Sequence, residues 1–389
     1  QADSVLMPAL LQRPDVSCYY IETLQILMNK YVLTYLLTFV SSMLFGQSKD
    51  TWSSFWNKDT TLIGFKDKNG IVKIKPRFKS LSANKFDYII AVIEEKNDSL
   101  GSYYLTKSGR IVGKGNLHFF DNGADCESEG FIRFRDKKTH KVGMFDRNGE
   151  IAIPAEYNHL SKVTNGLLIA LKGAYWVQNK RSEIFEFPWV GGKIVLIDTT
   201  NTIIIDSFTN SFNLDFYSHL ITAEQNPDTI RQNFKTVKGQ YYSFIDFDKE
   251  FKFWLKSSLL NYFTKDNLLN ATYNKISFWK EPIGWTSEAK SSFIDRNFEL
   301  IKKKLLELNS RDCDYDIFTE ALNPYIYESD EYKGYFNNCG EPKDWLYPIK
   351  NIVISYNDNK DLLQDNFEFL RTDKGYKLIS ITVRKGKLK

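Results

Sequence analysis

The side chains that carry most enzyme chemistry are present in this chain, but their spacing assembles no reaction centre. His118, His140, His159 and His219 stand apart, with none of the close spacing, such as i and i+4 on a helix, that turns two imidazoles toward one metal ion. Each is expected on the surface or in a loop. Asp312, Asp314 and Asp316 begin like a calcium-binding loop. The pattern then breaks, because Ile317 stands where the turn requires glycine and Asn323 where a bidentate glutamate is required. Helix capping and solvation account for these carboxylates. The chain has no Gly-x-Ser-x-Gly elbow and no phosphate-binding glycine loop with its lysine. An enzyme with a C-terminal pocket would have Asp295, Glu320 and Trp345 to use, but they form no convergent set of acid, base and nucleophile. No catalytic, cofactor-binding or metal-binding residue is therefore assigned.

Cysteine is sparse, and no Cys-x-x-Cys pair supports a zinc or thioredoxin-like site. In an oxidising compartment Cys313 and Cys339 can pair, closing a loop of about 25 residues and stabilising the fold by about 3 kcal/mol in the chain-entropy model. Cys126 is then left alone, and Cys18 falls in a leader.

The elements that must carry these side chains announce themselves by repetition. Ile63-Gly64-Phe65-Lys66-Asp67-Lys68-Asn69-Gly70-Ile71-Val72 returns as Val142-Gly143-Met144-Phe145-Asp146-Arg147-Asn148-Gly149-Glu150-Ile151, each followed by a proline and an aromatic, Phe78 or Tyr157. Asn-Gly between alternating apolar residues predicts a β-hairpin with a type I′ turn, which needs positive φ at both central positions. A third copy centres on Ser108-Gly109, about 39 residues after Gly70 and 40 before Gly149. A fourth is read at Ile197–Ile205, with Asn201 in the glycine position. A period near 40 implies stacked supersecondary units, none of which buries its apolar face alone.

The Gly-aromatic-x-Asp-x-Asn-Gly phrase, with its trailing Pro and aromatic and a later Gly166-Leu167-Leu168-Ile169-Ala170, resembles the WG repeat, a β-rich module of bacterial proteins. The resemblance spans roughly residues 60–205, although Ile63 and Val142 stand where the naming tryptophan would be. It implies an interaction surface and no catalytic residues.

From Met28 a short basic start, an apolar run from Tyr31 to Phe45 and a small residue before a polar stretch read as a secretory signal peptide, cleaved between Gly46 and Gln47. The run is too short and too rich in Ser and Thr for a membrane span, so none is expected in the mature chain. Residues 1–27 read as an upstream extension outside the folded protein. The 52 basic and 48 acidic residues are spread along the chain, so nucleic acid is not implied. Lys302-Lys303-Lys304 reads as the solvated face of a helix. The 29 Phe and 22 Tyr are mostly expected in cores, with stacking on sugars as a second use.

Residues 206–245 are polar and weakly patterned and read as a connector. Beyond it, Phe247, Phe251, Trp254, Leu255, Leu259 and Tyr262 share a helical face capped by Asp246. Ile294, Phe298, Ile301, Leu305 and Leu308 mark a second helix, opened by Ser287. Ile349 to Tyr356 reads as a strand, and Asn366 to Arg371 with Tyr376 to Val383 as a hairpin. The closing Phe367–Leu378 phrase is similar to the last hairpin of cone-shaped domains in the nuclear transport factor superfamily.

The expected architecture is a β-repeat array over residues 47–205, a connector over 206–245 and an α+β domain with an antiparallel sheet over 246–389. The expected role is that of an exported, non-enzymatic interaction protein whose repeats bind a protein or glycan of the envelope. An enzyme or small-molecule binder with a C-terminal pocket is the alternative.

Overall fold

The computed structural model describes residues 50–389, apart from 98, 121–122, 178–188, 210–212, 281 and 359–360. The leader, the Gly46–Gln47 junction and residues 1–27 lie outside the described residues. The described chain is strand-rich. Its strand pairs are antiparallel except for Thr272–Lys280 beside Gly375–Thr382. No helix of the described residues is long and apolar enough to cross a membrane.

The hairpin turns correct the expected type. In each of the two clearest copies the glycine amide donates to the Asp carbonyl three residues back, and the Asp amide donates to the carbonyl four residues on, at 2.9–3.0 Å. This is a three-residue connection closed by a bulge at a left-handed residue. Gly70 and Gly149 have φ of 82° and 75°, while Asn69 and Asn148 do not join the positive-φ residues. The Asp side chain explains the choice. Asp67 Oδ1 accepts from the amides of Asn69 and Ile71, and Asp146 Oδ1 from those of Asn148 and Glu150, so the carboxylate satisfies two amides the turn would otherwise strand. The same backbone pattern closes the turns at Thr106–Gly109, Asp198–Asn201 and Thr236–Gly239, with Asn201 at φ 67°.

The glycine that precedes the aromatic has a different duty. A Cβ on Gly64 would lie 2.5 Å from the Ile74 carbonyl oxygen, and one on Gly143 would lie 2.7 Å from that of Ile153. In both hairpins the second strand, Val72–Leu81 or Ile151–Tyr157, carries two extra residues around a proline, and the displaced backbone fills the space a side chain would need. The trailing Phe78 and Tyr157 are buried. They pair across the strands with Ile63 and Val142.

Residues 206–245 are not a connector. Leu214–Thr222, Arg231–Lys235 and Tyr241–Asp246 form a three-stranded sheet. Its buried Phe216, Phe234 and Phe244 gather on Phe208, and the irregular spacing of these phenylalanines along the segment shows no period.

The last sheet has six strands, with Gly375–Thr382 and Asp361–Thr372 central and Gly284–Ala289 and Asp314–Glu320 at its edges. Helix Phe247–Trp254, the π-helix Leu255–Leu260 and helix Lys290–Leu306 pack on one face, where Phe251, Leu259, Ile294, Ile301, Phe367 and Phe369 fill the interior. Asp246 caps the first helix through the amides of Asp248 and Lys249. Three expectations need correction. Ser287 lies in a strand and Ala289 precedes the longer helix, because the chain pairs with Thr272–Lys280 up to Ala289 before it turns. Tyr262 is exposed beyond the π-helical turn. Lys304 is buried rather than solvated, held by Asp365 at 2.7 Å and the Tyr356 hydroxyl at 2.9 Å.

Gly143→Ala should destabilise by roughly 3 kcal/mol through overlap with backbone, whereas Gly70→Ala, with open space around it, should cost only the 1–2 kcal/mol of a left-handed conformation. Urea unfolding of both variants checks this; equal losses would show that the close approach is not the constraint.

Candidate functional site

A cleft of about 580 Å³ opens between the strands around Arg133 and His159 and the loop Glu341–Trp345. Its floor carries Ile169, Leu214 and Phe216, and its rim carries Lys162, Glu341 and Trp345. A smaller hollow of about 170 Å³, lined by Asn213, Phe247 and Glu320, shares Asp344 and Trp345 with it.

The loop wall is built from the turn already described. Asn337 takes the place of Asp: its Oδ1 accepts from the amides of Cys339 and Glu341, and Gly340, at φ 78°, donates to the Asn337 carbonyl. This turn presents Cys339 to Cys126, and the two form a disulfide with Cα atoms 6.2 Å apart. The expected Cys313–Cys339 pair is therefore wrong, and so is a solitary Cys126. Cys313 is the free, half-buried thiol. It directly precedes the edge strand Asp314–Glu320 and packs against the helix-side core, whereas the Asn337 turn lies beside Cys126. Bridging across 213 residues contributes about 5 kcal/mol in the chain-entropy model. Lys162 with Glu341 and Asn338 Nδ2 with Asp87 at 2.7 Å add polar ties to the same loop.

Beneath the cleft lies a buried ion pair. Arg133 donates through Nε and Nη2 to Asp125 at 2.9 and 2.5 Å and through Nη1 to the Leu160 carbonyl at 2.8 Å. Burial alone would raise the Asp125 carboxyl, but the guanidinium overrides it and holds the group well below the usual carboxylate range. His118 is buried with no hydrogen-bond partner at either ring nitrogen. Burial, helped by the charge of Arg133, pushes His118 and the half-buried His159 down to about 3. Both imidazoles are therefore neutral near pH 7 and cannot act as cationic acids there.

Two further cations fasten the floor to the six-stranded sheet. Arg371 reaches Asp215 at 2.9 Å, Glu250 at 2.8 and 3.0 Å and the Leu346 carbonyl at 2.9 Å. The fully buried Lys350 donates to Asp248 and Thr319, each at 2.6 Å, and to Asn213 at 3.1 Å.

Of the residues weighed for chemistry in the sequence, the structure brings His159, Glu320 and Trp345 to these hollows. Asp295 is exposed on its helix and paired with Lys265 at 2.6 Å. Asp314 and Asp316 lie on a strand rather than in a loop. His140 stacks on Trp176 with centroids 5.3 Å apart, and His219 stacks on Tyr242 at 5.7 Å. His118 is interior, contrary to expectation, because a short bridge joins Leu117 to Phe134 and turns the following residue inward. Arg133, Lys162 and Phe216 had no sequence signal. The Asn337-x-x-Gly340 turn did, being the same phrase with Asn for Asp. As a chemical device the cleft is an apolar floor with paired charges at its rim, which suits binding.

Below about pH 6.5 an unfolded His118 takes up a proton that the folded one refuses, so stability should be lost as pH falls from 6.5 toward 3, where the folded value lies. His118→Leu should lose less melting temperature between pH 7 and 5 than the parent; an identical loss would clear His118. Thiol labelling without reduction should modify Cys313 and spare Cys126 and Cys339, and digestion should release a Cys126–Cys339 peptide. Recovery of a Cys313–Cys339 peptide would refute the pairing.

No family model, curated protein or solved structure matches the chain.

Proposed function

We propose that the chain is a non-enzymatic interaction protein of the cell envelope, in which an array of hairpin repeats and an α+β domain together hold a segment of a partner protein in the cleft. The observation that carries this reading is the cleft itself: Phe216, Leu214 and Ile169 offer a place for apolar side chains, and Trp345 stands at its edge. Aromatic anchors set in a desolvated hollow supply most of the energy of typical protein interfaces. Its charges are largely spent on one another, Arg133 on Asp125 and Lys162 on Glu341, which favours recognition by shape and apolar burial. Export rests on the Met28–Gly46 pattern, and the Cys126–Cys339 disulfide accords with an oxidising compartment.

Affinity capture from an envelope extract with residues 47–389, in parent and Trp345→Ala forms, tests the reading. The parent should retain a specific partner, and the variant should weaken it by about 2 kcal/mol, or some thirtyfold, at an unchanged melting temperature. Equal retention by both would remove the cleft as the binding site.

A further inference from the structure

The strand Asp314–Glu320 is the outermost of the six-stranded sheet. It pairs with Ile349–Asp358 through seven consecutive residues without a bulge, and among the described residues no strand pairs with its other side. An edge of this kind presents alternate amides and carbonyls as a template for one more strand. Natural edges are blunted by proline, bulges, shortness or charge, and of these devices this strand carries only charge. It also exposes Phe318 (50%) and Tyr315 (39%), the aromatic residues a protected edge avoids.

Alternation along the strand sorts its side chains. Ile317 packs against the helix-side core, so Asp314, Asp316, Phe318 and Glu320 share the opposite face. The first two carboxylates and Glu320 are exposed, and the strand carries no basic residue. Its face is an acidic row interrupted by one aromatic.

We propose that Asp314–Glu320 is a docking strand for an extended segment of a partner protein that bears lysine or arginine at alternate positions, added to the sheet by main-chain pairing. Opposite charges directly across a strand pair stabilise it, and like charges destabilise it. That rule selects the occupant. A second copy of this chain, paired edge to edge, would set carboxylates against carboxylates; a basic segment places a cation beside each. The carboxylates thus keep copies of the chain apart while admitting a basic partner. Thr319 and Glu320 also border the smaller hollow, but the pairing edge of the strand does not depend on the reading given to the cleft.

The test uses the full chain and a blocked heptapeptide of alternating lysine and threonine, with a glutamate-for-lysine peptide as control. Hydrogen exchange should show the amides of residues 314–320 slowed by the lysine peptide alone, and the triple variant Asp314→Asn, Asp316→Asn, Glu320→Gln should bind it about tenfold more weakly at low salt. Equal binding of the glutamate peptide, unchanged exchange at saturating lysine peptide, or a dimer formed through these residues would overturn the proposal.

Discussion

One turn governs this structure. An Asp, Asn or Thr begins it, and three residues later Gly or Asn closes it with positive φ. Where Asp or Asn begins it, the side-chain oxygen collects two backbone amides that the tight connection cannot pair otherwise. The closing residue must tolerate a left-handed backbone, which costs other L-residues about 1–2 kcal/mol. Because the closing bulge fixes how the flanking strands enter and leave, it also fixes register. A slip of one residue would turn Phe65, Phe78, Met144 and Tyr157 out of the core.

The same turn at Asn337–Gly340 carries the consequence from hairpins to the cleft. It holds Cys339 where Cys126 can reach it and stands Glu341 across from Lys162. Cys126 directly follows Asp125, whose carboxylate is claimed by Arg133. Disulfide, ion pair and cleft wall are thus neighbours in one small region, and a change in any of them is felt by the others. Arg371 and Lys350 do the equivalent work on the far side, each satisfying several oxygens from separate segments of the chain. Their burial is tolerable because those bonds replace hydration.

These polar groups constrain shape more than they offer reactivity. Arg133, Lys162, Arg371 and Lys350 each have a carboxylate partner, and the two imidazoles nearest the cleft are neutral. What the cleft leaves open is apolar surface and an indole at its rim, which is the currency of association. The acidic sheet edge complements it, since main-chain pairing and charge make few demands on the cleft.

Local and tertiary information divide cleanly here. The sequence alone determined the strand-rich character, the places of the hairpin turns with their glycines, the Asp246 cap and the helical faces around Phe251 and Ile301, because each depends on residues within a dozen positions of one another. It misassigned the turn type, since the Asp that distinguishes a bulged connection from a type I′ turn acts through its side chain rather than through φ. It also passed over the strands within residues 206–245, where Phe216, Phe234 and Phe244 become a pattern only once they converge on Phe208. The disulfide partner, the interior place of His118, the burial of Lys304 and the cleft were decided by tertiary structure, because each joins segments far apart in the chain, and spacing in sequence carries no record of which distant surfaces a folded chain brings together.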